Sequence, residues 1–539
     1  MINALQSHYS IQELRRQVQI KVNSSRITTA KRLVRNTLFN VIALVSNAII
    51  GFILIGFFLG QLGENRYGLW VLIGSIFYYR GLISMGLNSA INRYIPVYLA
   101  KNYQEGIQRV IGTSLLFLSL LAVGVVLATL VLYYNVGSWF TIEPDLVGTA
   151  GMLVLIVGCC AAGAMPLQLS SAVLSGLQRY DIENTIVLIL LLMRTVLLVV
   201  LLRLGYGLLS MGLVFGLSEI AMRFLQISFA KRLLPQVSLS FTGVDFKFLS
   251  KMLAYGINTF LYAMGAVIIY KAADIIIGVL LGTGQISQFA VAAAGVLLLS
   301  QFLQAFAQAI KPAVSDLDAR DEHLRVREIA FLTQKYSLLL IIPAGCFLVV
   351  MAREFLWIWV GQKFQDPRVV DRMGVILAIL TTGHCFRLAQ HSNFLVLVGR
   401  GEHKVFGILT ALTALLCICA SVVLVKVFNL GLCAIAWSNS LPVAIISGVI
   451  LPIYFNRRMG ISGRDSVRRV WWPALLGSLP PVVMIALWKC LYPPKYWFDL
   501  GMVVLSTVLL AFLSSWFLSF SELERKRFLS ILVPSWSRY

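Results

Sequence analysis

The sequence predicts an all-α polytopic membrane protein with about 14 transmembrane helices, in which two pseudo-symmetric six-helix lobes are followed by two C-terminal helices. Three observations lead to this fold class. The 539-residue chain is a series of long apolar stretches, its composition is 59% hydrophobic and only 13% charged, and a short motif recurs along it. Only a helix of about 20 apolar residues satisfies its own backbone hydrogen bonds across the ~30 Å hydrocarbon core. A soluble core of this size is therefore excluded.

Each apolar stretch is long enough to cross a bilayer and is bounded by a short polar turn. The predicted helices cover residues 36–60, 67–95, 109–134, 146–175, 182–203, 208–231, 252–281, 289–312, 331–352, 374–398, 405–427, 431–455, 471–491 and 498–519. Because their number is even, both chain termini lie on the same side of the membrane.

The basic residues indicate which side carries the termini. Of the 45 Lys and Arg residues, 31 fall in the termini and the connections on their side, 9 fall on the opposite side, and 5 lie inside helices. Positive charge is retained in the cytoplasm, so both termini are expected there. The net charge of +22 thus largely reflects membrane topology. The basic residues beside the helices also attract anionic lipid headgroups. Nucleic acid binding is not expected, since no basic and aromatic soluble module is present.

An internal repeat relates the two halves of the chain. Residues 55–60 read IGFFLG and residues 277–282 read IGVLLG, an offset of 222, and each segment closes a predicted helix. Gly176 matches Gly399 at an offset of 223, and a gap is needed to align Pro96 with Pro312. Helices one to six therefore correspond to helices seven to twelve in the same orientation, as in a parallel repeat. Two such lobes with a seam between them are what alternating access requires.

The repeat divides the chain into segments. We predict a basic N-terminal arm at 1–35, a first lobe at 36–231, a linker at 232–251, a second lobe at 252–455, two further helices at 456–519 and a cytoplasmic tail at 520–539. The eight cysteines fall within or at the ends of apolar helices, so no metal site is predicted.

Polar residues recur at helical spacing in four of the predicted helices. These stripes are Arg80, Ser84, Asn88 and Asn92 in helix two, Gln168, Ser171, Ser175 and Gln178 in helix four, Gln301, Gln304, Gln308, Lys311 and Ser315 in helix eight, and Thr381, His384, Arg387 and His391 in helix ten. Spacings of three and four residues keep such side chains on one helix face. Since helices two and eight, and four and ten, are related by the repeat, we interpret the stripes as the lining of a water-filled cavity. The alternative is that they hydrogen-bond neighbouring helices together.

Ionised residues inside the membrane are the sharper signal, because each costs ~2.5 to 3.5 kcal/mol at a helix centre. Five basic and two acidic residues make up this set: Arg80, Arg194, Arg223, Lys271, Arg387, Glu219 and Asp274. Spacing on one helix predicts that Glu219 pairs with Arg223 and that Lys271 pairs with Asp274. Arg194 is expected to reach Glu219. Arg80 and Arg387 have no evident partner in the sequence, so they are the best candidates for binding a negatively charged ligand.

The chemistry of these residues favours an anionic, sugar-bearing cargo. The planar guanidinium group matches phosphate oxygens, and amide side chains both donate to and accept from hydroxyl groups. The candidate substrate-binding residues are Arg80, Asn88, Gln304, Gln308, Lys311, Lys271, Arg387, His384 and His391. Asp274 and Glu219 are candidates for coupling to H⁺ or Na⁺, and no other cofactor is expected. The two histidines suggest a pH-sensitive step, the alternative being hydrogen bonds between helices.

Four segments carry a resemblance to the bacterial polysaccharide flippase family. They are GENRYGLWVLIGSI at 63–76, GLISMGLNSAINRYIPVYLAK at 81–101, LSGLQRYD at 174–181 and KAADIIIGVLLG at 271–282. The resemblance extends over essentially the whole chain. It implies the MATE-like superfamily fold, with two six-helix lobes in a V and two additional helices. It also implies a bacterial inner membrane protein that moves undecaprenyl diphosphate oligosaccharide, for O-antigen, capsule or exopolysaccharide assembly, from the cytoplasmic to the periplasmic leaflet.

The implied partners are therefore the lipid-linked oligosaccharide diphosphate, membrane lipids and the polymerase and chain-length proteins of polysaccharide assembly. No P-loop, metal cluster or catalytic triad is visible in the sequence, so an enzyme is not predicted. Two alternatives stay open. A peptidoglycan lipid II flippase shares the helix number and a cationic cavity, and a MATE-type drug or cation antiporter shares the architecture but is expected to bind its cargo with buried acidic groups.

The distribution of basic residues makes the membrane topology testable. We expect reporter fusions at Arg35 and in the C-terminal tail to be active only with a cytoplasmic reporter, because positive charge resists export. Activity of a periplasm-specific reporter at either position would contradict the assignment.

Overall fold

The computed structural model describes residues 39–532, except 236–237, 239, 308–309, 365 and 403. The predicted arm at 1–35 and the end of the tail therefore lie outside the described residues. Within the described part, 13 helices are long and apolar enough to cross a membrane. The predicted second helix is also present, but it is divided at Tyr79 and does not qualify as a continuous apolar span. The protein is an all-helical, multi-pass membrane protein, as predicted.

The first lobe consists of six helices that cross the membrane in alternating directions. In the described residues they are α1 Phe39–Leu62, α2 Glu64–Tyr78 and Arg80–Ala100, α3 Gln104–Trp139, α4 Val147–Leu167 and Leu169–Gly176, α5 Tyr180–Arg203 and α6 Gly207–Leu233. We call the side on which α1 begins the terminal face and the opposite side the far face.

The second lobe repeats this sequence of helices. Its members are α7 Phe246–Leu280, α8 Thr283–Ala307 and Ile310–Asp318, α9 His323–Val350, α10 Pro367–Ala389 and His391–Gly399, α11 Lys404–Lys426 and α12 Gly431–Ile445 and Leu451–Met459. Two more crossings, α13 Trp472–Leu491 and α14 Trp497–Ser514, are followed by the short helix α15 Glu522–Leu532. The predicted far-face connection at 353–373 also contains a short helix, Ala352–Val360.

The helix interruptions follow the repeat. α4 is broken at Gln168, two residues after Pro166, which lacks the amide hydrogen that a helix interior needs. α10 is broken at Gln390, which lies 222 positions after Gln168, the same offset as between the two glycine-rich motifs. Broken helices at membrane depth are tolerated where protein or a cavity surrounds them. The two lobes therefore share a structural feature at the positions where the polar stripes lie.

The buried cores show how the lobes meet. One large core contains residues from both lobes, mostly in the half of the helices toward the far face, among them Leu59, Ile73, Ile277 and Ile286. Toward the terminal face there are two separate cores, one built around α2, α3 and α4 and the other around α8, α10 and α12. The lobes are thus joined at the far face, and their packing separates toward the terminal face.

Small and polar residues make the contact at the far face. Gly68 of α2 packs so closely on α8 that a Cβ atom there would lie 1.8 Å from the carbonyl oxygen of Thr283. Nearby, Gln288 Nε2 donates to Glu64 Oε2 at 3.1 Å, and Thr141 N donates to the carbonyl of Gly278 at 2.8 Å. Such close backbone approach maximises van der Waals contact between helices in a membrane.

Helix α7 belongs to both lobes. Its first turns, at Phe248 and Met252, join the terminal-half core of the first lobe, and Arg93 of α2 lies 4.5 Å from the ring centroid of Tyr255. Its middle packs on the second lobe, where Gly265 abuts the backbone of Thr410 in α11. The predicted boundary at 252 therefore falls inside a helix that starts at Phe246 and passes from one lobe to the other.

The close contact at Gly68 predicts a variant that separates the lobes. We expect Gly68→Val to disfavour the conformation closed at the far face, because the added side chain meets the backbone of Thr283. In a background without native cysteines, a cysteine replacing Gln288, which is 8% exposed here, should then react faster with a membrane-impermeant maleimide.

Gly74→Val is the matched control, since a Cβ atom at Gly74 meets nothing within 4 Å although it lies on the same helix segment. Equal labelling of the two variants would contradict the role of the Gly68 contact.

Candidate anion-binding site

The second lobe contains a polar cavity into which Arg387 projects. The cavity has a volume of about 180 Å³ and lies between α7, α8, α10, α11 and α12. Its polar lining consists of Tyr262, Tyr270, Ser300, Gln304, Arg387, Gln390, His391, Thr410, Thr413 and Ser447. This set offers one cation together with hydroxyl and amide groups, and no carboxylate lines it among the described residues.

Arg387 is a cation without an acidic partner. It lies in the last turn of the first α10 segment, where the helix dipole favours positive charge, directly before the break at Gln390. Its Cζ atom lies 4.9 Å from the ring centroid of Tyr270, a cation–π contact. Arg387 also forms a hydrogen bond with Tyr262, but its buried Nη1 atom has no hydrogen-bond partner among the described residues, and no carboxylate among them pairs with it. A buried donor without a partner costs free energy that an anionic ligand would recover.

His384 packs against Tyr270, the residue whose ring Arg387 contacts. Its ring stacks on Tyr270 with centroids 5.1 Å apart, and its Nε2 atom lies 2.9 Å from Asn439 Oδ1 of α12. The amide of Asn439 donates to the carbonyl of Ile269 at 2.6 Å, which leaves its Oδ1 atom to accept from His384. His384 is only 3% exposed and does not line the cavity, so it takes the alternative role of a hydrogen bond between helices. His391, in contrast, lines the cavity.

Arg80 has an acidic partner, so the prediction that it is unpaired is wrong. Its guanidinium group pairs with Glu219 of α6, and its Nη1 atom donates to the carbonyl of Ala161 at 3.3 Å. The partner is four helices away along the chain, so the sequence within α2 gave no sign of it. Arg80 begins the second α2 segment, where a cation opposes the helix dipole, and Glu219 compensates that charge.

Of the other two predicted intramembrane cations in the first lobe, Arg223 is paired and Arg194 has no ion pair among the described residues. Arg223 lies 3.8 Å from Glu219 on α6, the predicted pairing, and donates to Gln226 at 3.0 Å. Arg194 lies with its Cζ atom 4.4 Å from the ring centroid of Phe215, and no ion pair with Glu219 is formed, in contrast to the prediction. Glu219 is thus held between two arginines.

The predicted pair of Lys271 and Asp274 forms, with its charged atoms 3.5 Å apart. Asp274 is 3% exposed and also accepts a hydrogen bond from Ser75 Oγ of α2 at 2.7 Å. Asp274 lies on α7 toward the far face, so this carboxylate joins the two lobes where they meet.

The other predicted site residues have different environments. Gln304 lines the Arg387 cavity and donates to Ser300 at 3.0 Å, whereas Lys311 is exposed beyond it. Asn88 lies in the first lobe, and its buried Oδ1 atom has no hydrogen-bond partner among the residues that the structure describes. Gln308 and the side chain of Ser84 lie outside the described residues.

Part of the stripe pattern is helix-to-helix bonding, since Ser175 donates to Asn92 at 2.8 Å.

Two groups of site residues were missed by the sequence. Tyr262 and Tyr270 hold the cavity from α7, and their spacing of eight residues on one helix face was a usable signal. Lys335 of α9 was not among the predicted intramembrane charges, but it is 5% exposed and paired with Glu524 of α15. No spacing rule relates residues so distant in the sequence.

A second, larger cavity is an apolar groove between α1, α8, α9 and α14. Its volume is about 1210 Å³, above the ~300 to 1,000 Å³ typical of pockets for compact small ligands. Its lining includes Phe302, Phe347, Trp497 and Phe512, and Glu524 is the sole charged lining residue in the described part of the chain. The groove and the Arg387 cavity lie on different sides of α8. Phe302 of that helix lines the groove, and Gln304 of the same helix lines the Arg387 cavity.

The pairing of Glu219 with two arginines predicts a stability effect. We expect Glu219→Gln to lower the apparent melting temperature, because it leaves Arg80 and Arg223 without their anion. Breaking a buried pair costs ~3–5 kcal/mol, and about a quarter of the Arg80 and Glu219 side chains is exposed, so the cost should be smaller, roughly 2 kcal/mol. Heating the purified protein and following the folded fraction by size exclusion measures this.

Asp316→Asn is the control for that experiment, since Asp316 pairs with Arg320 on the surface and contributes little. A Glu219→Gln variant that melts with the wild type would refute the structural role of the cluster.

The chain matches known proteins at two levels. The sequence profile of the family described as polysaccharide biosynthesis protein matches residues 67–368, and no curated protein sequence matches the chain. Among solved structures, the lipid II flippase MurJ in an inward closed conformation is similar over 89% of this chain and 98% of its own, with a TM-score of 0.69 and 17% identity.

A multidrug resistance MATE family transporter in an inward-facing conformation covers 79% of this chain and 94% of its own, with a TM-score of 0.63 and 14% identity. A MOP superfamily transporter from Pyrococcus furiosus covers 80% of this chain and 96% of its own, with a TM-score of 0.56 and 14% identity. At these identities the structures show the fold alone, which is that of membrane transporters. The profile match, which covers more than half of the chain, establishes that the chain belongs to the polysaccharide biosynthesis protein family, and its two-lobed helical fold is similar to that of the flippase and transporters named above.

Proposed function

We propose that the protein flips an undecaprenyl-diphosphate-linked oligosaccharide, a repeat unit of O-antigen, capsule or exopolysaccharide, from the cytoplasmic to the periplasmic leaflet of the bacterial inner membrane. Family membership gives the coarser part of this function, transport in polysaccharide biosynthesis. The nature of the cargo is argued from the two cavities.

The guanidinium group of Arg387, which no carboxylate of the described residues neutralises, is the observation that carries the proposal. A diphosphate entering hydrocarbon loses its hydration and pays a large free-energy cost. The Arg387 cavity replaces water with one cation, and its hydroxyl and amide groups suit a sugar. A MATE-type cation antiporter is disfavoured, because a cavity with a cation and no carboxylate among its described lining residues repels cationic cargo.

The apolar groove supports the lipid part of the cargo. An oligosaccharide headgroup and a long apolar chain need separate environments during flipping, and each is present on one side of α8. The lipid chain can stay in contact with apolar side chains while the headgroup moves through the polar seam. Each part of the cargo thus keeps an environment that suits it.

The packing of the lobes supports alternating access. With the termini in the cytoplasm, the conformation described here is closed toward the periplasm, because the shared core and the Gly68 contact lie at the far face. Rocking of the lobes about α7, which packs on both, would open the far face and close the terminal face.

Asp274 is our candidate for coupling to H⁺ or Na⁺. It is a buried carboxylate, and its hydrogen bond with Ser75 spans the two lobes at the contact that has to break during transport. Glu219 is a weaker candidate, since it is held between Arg80 and Arg223 within one lobe.

The proposal predicts that transport depends on the charge of Arg387. We expect Arg387→Ala to reduce translocation of a lipid-linked oligosaccharide in proteoliposomes roughly tenfold or more, since a hydrogen bond to a charged group contributes ~1.5–3 kcal/mol. Lys should restore part of the rate because it keeps the charge but loses the planar fork, and Glu should be the most severe replacement.

Arg320→Ala is the control, because Arg320 is 62% exposed at the terminal face and pairs only on the surface. Expression and size exclusion check that each variant folds. A well-folded Arg387→Glu variant that flips at the wild-type rate would overturn the proposal.

A further inference from the structure

The terminal-face end of the apolar groove is closed by a buried ion pair. Lys335 Nζ of α9 lies 2.5 Å from Glu524 Oε1 of α15, and the two side chains are 7% and 9% exposed. Lys335 also donates to the carbonyl of Ser519 at 3.4 Å, and the hydroxyl of Tyr336 donates to Glu524 at 3.0 Å. The cation therefore lies directly behind the carboxylate that lines the groove.

The carboxylate of this pair is on a short, separate element. α15 follows α14 after a break at Phe520, and Ser521 N donates to Glu524 Oε2 at 2.7 Å in its first turn. Its other side-chain contacts in the described residues are few: Phe528 packs on the rings of Phe512 and Trp516, and Arg525 donates to the carbonyl of Phe517 at 2.9 Å. An 11-residue helix with few other contacts can leave at low cost once another anion takes the place of Glu524 beside Lys335.

Glu524 is ionised in this position. Burial by itself would raise the pKa of Glu524, but hydrogen bonds from Lys335 and Ser521 outweigh burial and lower the pKa below its usual value. Two opposite charges thus lie at the end of an otherwise apolar groove. Removing one partner of such a pair leaves a buried, uncompensated charge, whereas exchanging one anion for another keeps the cation paired.

We propose that Lys335 is an entry site for the phosphate of a polyprenyl phosphate lipid, and that Glu524 occupies this site until the lipid displaces α15. The inference rests on the proposed function for the identity of the lipid, and it adds a site that the Arg387 cavity does not include. The groove supplies the apolar surface for the polyprenyl chain, and Lys335 supplies the positive charge at the end of that surface.

The position of the pair fits an entry site. α14 runs from Trp497 at the far face to the terminal face, and the groove ends there at Phe520, Glu524 and Phe528. The two lobes also separate toward the terminal face. A lipid with its phosphate at Lys335 would therefore lie in the leaflet on the open side, with α8 between it and the Arg387 cavity.

Binding measurements on the full-length protein in neutral-lipid nanodiscs test the proposal. The probes are a polyprenyl phosphate, the uncharged polyprenol of the same chain length and inorganic phosphate. We expect Glu524→Gln to raise the affinity for the polyprenyl phosphate about tenfold, since the internal competitor loses its charge, and to leave polyprenol binding unchanged. Inorganic phosphate alone should bind far more weakly, because it gains nothing from the groove.

A double variant keeps the test valid if an unpaired Lys335 destabilises the protein. Lys335→Gln with Glu524→Gln removes both charges and should abolish the preference for polyprenyl phosphate over polyprenol, and Lys335→Arg should keep it. Glu354→Gln is the matched control, because Glu354 pairs with Lys489 at the far-face end and neither side chain lines the groove, so binding should not change.

Unchanged affinity in Glu524→Gln, or a phosphate preference that persists in the double variant, would overturn the proposal. Its failure is separable from that of the proposed function, since these measurements use a lipid without sugar and no transport step. An Arg387→Glu variant that still flips would remove the proposed function and leave the Lys335 result in place.

Discussion

The free-energy cost of an ionised group in a low-dielectric interior organises this structure. Cations occur inside the membrane-spanning region in both lobes, and most are neutralised by a carboxylate from another helix or from the same one. Arg80 pairs with Glu219, Lys271 with Asp274 and Lys335 with Glu524. Arg387 is different, because it contacts an aromatic ring and a polar cavity and has no carboxylate partner in the described residues. Among the same residues Arg194 forms no ion pair either, but it packs on Phe215 and does not line the Arg387 cavity, so Arg387 marks the place where a ligand can supply the missing charge.

The same constraint explains where the lobes are joined. Asp274 links α7 to Ser75 of α2 at the far face, and Gly68 brings α2 against α8 beside it. These contacts lie beside the large core that the lobes share at the far face, and each depends on a short side chain or one hydrogen bond. A transporter needs this kind of joint, because two packed arrangements have to differ by only a few kcal/mol for both to be populated. Apart from the first turns of α7, which join the core of the first lobe, each terminal-half core lies within one lobe, so each lobe can move as a unit.

Two cavities of opposite character lie on the two sides of α8. One is polar and cationic, and the other is apolar and closed at its end by an ion pair. An amphiphile with a charged, hydroxylated headgroup and a long hydrocarbon chain requires both environments at once. The structure therefore explains why one protein combines buried arginine with a large apolar groove.

The breaks in the helices show how the repeat positions the first of these cavities. Gln168 and Gln390 are equivalent by the repeat, and both interrupt a helix that carries a polar stripe. At Gln390 the interruption places Arg387 at a helix C-terminus, next to His391 on the following segment. In the first lobe the corresponding region is filled by the Arg80, Glu219 and Arg223 cluster, so the two lobes share an architecture but differ in charge compensation.

The sequence by itself determined the even number of membrane-crossing helices, the repeat and the pairing of Lys271 with Asp274. These properties depend on hydrophobicity, length and spacing along one helix, which are local in the chain. Only the tertiary structure decided that Arg80 is paired and Arg387 is not, that His384 bonds to Asn439, and that Lys335 meets Glu524 across 189 positions. The physical reason is that the partner of a buried charge is chosen by the packing of distant helices, and single-helix periodicity contains no information about that choice.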